Sequence, residues 1–190
     1  MQKPEPPMEI EAKLRVTDRA ALEAALVTLG AAPGPTEHET NTLFDDAKGS
    51  LTRRGEVLRV RETEGRGLLT LKGTATVSRG VKSRVEMESE VASGAAVRDI
   101  LSTLRFEPTF FYEKRRTVWR FADSARPVVT VDETPIGLFA EIEGTEDAVR
   151  ALAAELGIPE RELLHESYVA LYRKERERDP TLPADMRFRS

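Results

Sequence analysis

The sequence predicts an α+β fold: a closed antiparallel β-barrel with helices packed outside it. Three observations predict it. Several segments alternate apolar and charged residues at period two, the pattern of strands with two unlike faces. The connections between them are short, which favours antiparallel pairing. Nearly every strand also has a charged face on which both signs recur and arginine is frequent, whereas a face merely wetted by solvent would mix Lys, Glu, Thr, Ser and Gln loosely. A barrel accounts for this by turning its apolar faces outward under helices and its charged faces inward to a lumen.

The first alternating segment is Met8 to Val16, with Glu9, Glu11, Lys13 and Arg15 on one face and Ile10, Ala12, Leu14 and Val16 on the other. Thr17 is the expected N-cap of a helix from Asp18 to Leu29 that Gly30 stops. A loop or strand follows through Thr42 to Asp46, then strands at Val57–Glu62 and Leu68–Gly73 around a turn marked by Gly65 and Gly67. Arg59 and Arg61 share a face of the first, and Lys72 lies on the polar face of the second. Ser83–Val91 reads as a strand with Arg84, Glu86, Glu88 and Glu90 in phase, and Ala95–Leu104 as a helix.

Phe110–Phe121 is strand material, bent or divided, with Lys114, Arg116 and Arg120 in phase if no bulge intervenes. Val128–Glu133 and Leu138–Glu143 flank a turn containing Pro135 and Gly137 and present Asp132, Glu141 and Glu143. Helices at Glu146–Leu156 and Glu166–Glu175 follow. Trp119 and Phe121 read as packing residues, and Tyr168, Leu171 and Tyr172 as the apolar side of the last helix. Residues 8–175 are expected to form one domain, with a flexible start at 1–7 and a charged, flexible tail at 176–190.

Of 190 residues, 33% are charged, and 29 Lys+Arg against 33 Asp+Glu leave a net charge of -4, which argues against general attraction to nucleic acid or to an anionic membrane. With no cysteine, disulfides, thiolate metal sites and cysteine nucleophiles are excluded. His38 and His165 belong to no ligand-spaced motif. No segment approaches the roughly 18 apolar residues of a membrane span, so the expectation is a cytoplasmic protein with neither membrane nor nucleic-acid partners.

A charged lumen is costly when dry and calls for water, ions or a charged ligand. Its arginines and lysines suit a polyanion with several phosphates, since they supply charge-assisted donors and arginine can grip two oxygens. The carboxylate pairs Glu9/Glu11 and Glu141/Glu143, each at i,i+2, suit hard divalent cations such as Mg²⁺. No phosphate loop of the GxxxxGK[ST] type is present.

These residues resemble the CYTH superfamily of triphosphate tunnel metalloenzymes, which includes class IV adenylyl cyclases and thiamine triphosphatases. The match begins at Glu9-Ile10-Glu11-Ala12-Lys13 and continues in order through Phe44-Asp45, Leu58-Arg59-Val60-Arg61, Leu71-Lys72-Gly73 and Arg84-Val85-Glu86-Met87-Glu88. Lys114-Arg115-Arg116, Val131-Asp132 and Gly137 through Glu143 complete it, so that it covers roughly residues 8 to 172. The resemblance implies an eight-stranded tunnel in which Lys13, Arg59, Arg61, Lys72, Arg84, Lys114 and Arg116 hold a triphosphate. It implies Mg²⁺ or Mn²⁺ ligands among Glu9, Glu11, Glu88, Asp132, Glu141 and Glu143, and catalytic work for Lys13, Arg59, Lys114 and Glu143. Leu43 stands where many members have an aromatic residue, and Ser167-Tyr168 resembles the cyclase-like branch.

The expected activity is divalent-metal-dependent hydrolysis of a small-molecule triphosphate such as tripolyphosphate, thiamine triphosphate or a nucleoside triphosphate. Conversion of ATP to cyclic AMP and pyrophosphate is the enzymatic alternative. A non-catalytic polyphosphate or nucleotide sensor ranks below both.

Overall fold

In a computed structural model, which describes residues 7–189, ten strands form one sheet that closes on itself. The strands are β1 (Met8–Val16), β2 (Ala31–Asp46), β3 (Val57–Thr63), β4 (Arg66–Lys72), β5 (Thr76–Ser78), β6 (Val81–Val91), β7 (Phe106–Phe121), β8 (Val128–Thr134), β9 (Gly137–Glu143) and β10 (Leu163–Leu164). Their order is β10-β1-β9-β8-β7-β2-β3-β4-β6-β5, and a β1–β6 pairing closes eight of them into an antiparallel barrel. The short strands β5 and β10 are additions beside β6 and β1. Except for Pro7, the expected flexible start at 1–7 lies outside the described residues.

Tight turns set the hairpin registers. Arg79 and Gly80, both at positive φ, make the two-residue turn between β5 and β6, a backbone whose twist matches that of the flanking strands. A Cβ at Gly80 would also lie 2.7 Å from the Leu163 Cβ, so glycine is required there twice over.

Among the described residues five α-helices lie outside or at the end of the barrel: α1 (Arg19–Thr28), α2 (Ser50–Arg53), α3 (Gly94–Thr103), α4 (Glu146–Glu155) and α5 (Tyr168–Arg178). Side-chain caps start four of them: Asp18, Ser93, Thr145 and Ser167 accept from the backbone N–H three residues on. Asp18, and not Thr17, caps α1, because it is Asp18 whose backbone is extended and whose carboxylate reaches Ala21 N.

The principal core is outside the barrel. Ala12, Leu14, Val129, Val131, Ala140 and Ile142, the apolar faces of β1, β8 and β9, pack with Leu26 of α1 and with Val149, Leu152 and Ala153 of α4. Trp119 is buried in the same cluster, and Phe121 packs at its edge. A smaller cluster places Leu101 of α3 against Val60 and Phe44.

Three differences from the sequence reading concern strand length and the C-terminus. β2 begins at Ala31, not Thr42; Pro33, Gly34 and Pro35 give the segment the composition of a loop, and the irregularity between Pro33 and Thr36 admits them. β7 is a single 16-residue strand paired along its length with β2, and the register shifts are absorbed between Pro33 and Thr36 and between Leu43 and Phe44 of β2. The tail expected to be flexible instead docks on β7. Met186 N donates to Phe111 O (3.0 Å), Met186 O accepts from Glu113 N (2.9 Å), and the Met186 side chain is fully buried among Phe110, Tyr112 and Tyr172. The physical reason is an open edge: β8 pairs with β7 only over Arg115–Trp119, so the N–H and C=O groups at 111–113 need another partner.

Candidate functional site

The inward face of the barrel surrounds a cavity of about 340 Å³, within the range of small-molecule sites. Lys13, Arg59, Arg61, Lys72, Arg84, Lys114 and Arg116 all line it, as do Glu9, Glu11, Glu88, Glu141 and Glu143. Five strands therefore bring together the basic set predicted for a polyanion. Arg173 of α5 also lines the cavity, whereas Lys174 faces outward and pairs with Glu166 at 2.6 Å.

Strand register explains which charges meet. Lys13 lies opposite Glu141, Arg84 opposite Glu9, Lys82 opposite Glu11, Lys114 opposite Glu39 and Arg116 opposite Asp132. Each opposition becomes an ion pair: Lys13–Glu141 at 3.2 Å, Arg84–Glu9 at 2.7 Å, Lys114–Glu39 at 3.4 Å, Arg116–Asp132 at 2.6 Å, and Lys82 with Glu11. Lys72 bridges Glu9 (2.7 Å) and Glu86 (3.0 Å), and Arg59 reaches Glu88 at 3.3 Å. Burial opposes ionisation of Glu9 and Glu39, yet the charges of Lys72 and Arg84 hold Glu9 at about 2, and those of Lys114, Arg116, Arg61 and Arg59 hold Glu39 at about 2. Glu141 is likewise held well below the usual carboxylate range, against burial, by Lys13 and Arg116.

Asp132 has a different place. It is fully buried, is not on the cavity wall, and accepts from Lys114 Nζ (3.0 Å), from the Arg116 guanidinium at both oxygens (2.6 Å each) and from the Tyr168 hydroxyl (2.7 Å). Glu88 accepts from Thr70 Oγ1 at 2.8 Å and from Arg59. Both carboxylates accept hydrogen bonds from basic side chains and from a hydroxyl.

On the cavity wall one register pair among the described residues is of like charge: Glu11 faces Glu143 across β1 and β9. Lys82 compensates Glu11, but among the described residues no cation pairs with Glu143, whose exposed surface opens on the lumen. Burial among the barrel walls, and then repulsion by Glu9, Glu11 and Glu141, raise the Glu143 carboxyl above its ordinary value. An oxygen-rich corner with uncompensated negative charge is what a hard divalent cation fits. As the side chains stand, no three acidic or histidine groups among the described residues close into a ready ligand set.

Glu86 also departs upward. Burial, opposed by Lys72 and reinforced by the charge of Glu9, raises it to about 7. A raised carboxyl contributes stability that is complete below its unfolded value, about 4.3, and is lost as pH rises through its folded value. In metal-free protein the melting temperature should therefore fall as pH rises from about 5 to about 7, and Glu86→Gln should flatten that slope. Thermal melts of both proteins across the window check it, and identical slopes would contradict it.

Lys82 and Tyr112 line the cavity beyond the residues predicted for it, Glu86 lines it with its in-phase neighbours Arg84 and Glu88, and Glu39 is buried beside Lys114. Lys82 is in phase with Arg84, one residue before the expected start of that strand. Glu39 belongs to the stretch whose prolines disguise β2. Tyr112 is in phase with Lys114 and Arg116 on β7.

A 24% identical protein of Methanocaldococcus jannaschii, named as a candidate adenylate cyclase, aligns over 136 residues, 72% of this chain and 76% of that one. Among solved structures, a candidate adenylate cyclase from Vibrio parahaemolyticus superposes with a TM-score of 0.76 at 20% identity, covering 89% of this chain and 99% of that one. A Hippeastrum protein, described as a candidate adenylyl cyclase with a dominant triphosphatase activity, gives a TM-score of 0.66 at 22% identity over 88% of this chain and 96% of its own. At these identities the structural likeness establishes the fold. The family described as CYTH domain matches residues 7–168, and the chain belongs to that family.

Proposed function

We propose that the chain is a divalent-cation-dependent triphosphatase acting on a small-molecule triphosphate inside the barrel. The observation that carries this reading is the Glu11–Glu143 like-charge pair within a lumen otherwise lined by paired lysines and arginines. One corner has negative charge to compensate, and the remaining wall presents donors suited to phosphoryl oxygens. Buried Nε groups of Arg59 and Arg61 have no acceptor among the described residues, so they too can donate to an entering anion.

Glu9, Glu11, Glu141 and Glu143 are the residues proposed to hold Mg²⁺ or Mn²⁺, which when bound would neutralise phosphoryl oxygens and activate water. Glu88 and Asp132, engaged as described, are assigned to orienting Arg59 and the Lys114/Arg116 pair. Lys13, Arg59 and Lys114 are buried and aimed by their carboxylate partners, so they can stabilise charge on the transferred group with little reorganisation. Arg61, Lys72, Arg84 and Arg116 extend that donor wall along the remaining phosphates.

Phosphate release should be measured from tripolyphosphate, thiamine triphosphate and nucleoside triphosphates with Mg²⁺ or Mn²⁺. Release from at least one is the expected result, and no release from any would overturn the proposal. A second reading, cyclisation of ATP, is favoured by the apolar side of the cavity, where Leu43, Val57, Phe110 and Val169 could receive an organic group. Cyclic AMP with pyrophosphate as products would establish it in place of hydrolysis.

A further inference from the structure

Two tyrosines of opposite character face the lumen. Tyr112 of β7 and Tyr168 of α5 both line the cavity, both are buried, and their ring centroids are 6.4 Å apart. The Tyr168 hydroxyl is already engaged, donating to Asp132 at 2.7 Å. The Tyr112 hydroxyl accepts a long 3.5 Å hydrogen bond from Arg59 Nη1, and its own O–H has no acceptor among the described residues.

The surroundings of Tyr112 fix that hydroxyl in place. Its ring packs with Phe110 and Tyr168 within the cluster that contains Met186, and the docked tail bonds the backbone on either side of it, at Phe111 and Glu113. The groups facing its oxygen are cationic. Burial would raise the phenol, but the charges of Arg59, Lys114 and Arg61 outweigh it and lower Tyr112 below its ordinary value, whereas burial followed by Asp132 and Glu141 pushes Tyr168 well above. Environments that separate two like groups in this way separate their roles as well.

We infer that Tyr112 is a substrate-contacting residue of this site, its hydroxyl accepting from Arg59 while donating a hydrogen bond to a phosphoryl oxygen of the bound triphosphate. The inference rests on the triphosphate reading and adds to it a neutral donor within a cationic wall. Tyr112 would fix which phosphoryl oxygen sits beside Arg59, and a donor to a charged acceptor in a dry site is among the stronger hydrogen bonds a ligand can find. It would play no part in holding the cation.

The test is binding of inorganic tripolyphosphate, by calorimetry with Ca²⁺ present to limit turnover, to wild-type and Tyr112→Phe protein. Phenylalanine keeps the ring packing and removes only the hydroxyl. A Kd weakened by about 10- to 100-fold, with unchanged circular dichroism, is the expected result. A Kd within twofold of wild type would overturn the inference while leaving the triphosphate reading in place. Wild-type protein that binds neither tripolyphosphate nor ATP would overturn both. A second measurement needs no variant at position 112: the chain has three tyrosines, so in 3-fluorotyrosine-labelled protein the resonances can be assigned by Tyr168→Phe and Tyr172→Phe. On addition of tripolyphosphate, the Tyr112 resonance should move while that of Tyr172 stays; a stationary Tyr112 resonance would contradict the contact.

Discussion

Glu143→Gln is expected to make the metal-free protein more heat-stable and, in the same protein, to lower triphosphate turnover by roughly 100-fold or more. The two effects have one cause. Glu143 faces Glu11 across the β1–β9 ladder with no cation paired to it among the described residues, and burial with the Glu9, Glu11 and Glu141 charges raises its carboxyl. A carboxyl raised on folding stabilises the fold only while protonated, so at neutral pH the ionised form works against the empty barrel. Glutamine keeps the size and removes the charge. The rise in melting temperature should shrink as pH is lowered into the ordinary carboxylate range, where wild-type Glu143 is itself protonated. A variant less stable than wild type, or one with undiminished turnover, would show that this carboxylate is neither strained nor used.

The opposite sign is expected at Asp132. Asp132→Ala should cost about 3–5 kcal/mol in denaturant unfolding, because it strips the shared acceptor from Lys114, Arg116 and Tyr168 in a fully buried position. Arg116 would keep Glu141, and Lys114 would keep Glu39; those remaining partners limit the loss without abolishing it. Urea titrations of wild-type and variant protein, both metal-free, measure it. A change below about 1 kcal/mol would remove Asp132 from the structural role assigned here. A carboxylate held in reserve for a cation should gain stability in the empty barrel when neutralised, as Glu143 is expected to; one that organises a cationic cluster should lose it.

Much of this was legible in the sequence because the signal has period two. The Glu9-x-Glu11-x-Lys13 alternation, the Arg59/Arg61 pair and the Lys114/Arg116 pair each place their charges on one face whatever the partner strand, so closure of the sheet was enough to bring them into one lumen. Pairing across strands was not legible. Which cation answers which carboxylate depends on register, and register made Asp132 a buried anchor and Glu143 the carboxylate without a cation, although both had been grouped as candidate metal ligands. Composition misled where it opposed topology. Two prolines and a glycine concealed the first half of β2 and with it Glu39, and the charged, Pro-containing composition from Arg176 onward concealed Met186, whose burial depends on a β7 edge that only the folded sheet leaves open. Tyr168 was read as helix packing; it packs against Phe139 as expected, but its hydroxyl reaches Asp132 across the end of the barrel.

The lumen is proposed to bind a triphosphate, with the carboxylates around Glu143 holding the cation required for its cleavage. Phosphorus NMR of tripolyphosphate incubated with the protein tests this most directly, with Mg²⁺, with EDTA, and with Glu143→Gln in place of wild type. The expected spectra show conversion to pyrophosphate and orthophosphate with wild type and Mg²⁺ alone, while the variant still binds the substrate it no longer cleaves. Cleavage that persists in EDTA, or that proceeds equally in the variant, would contradict the claim.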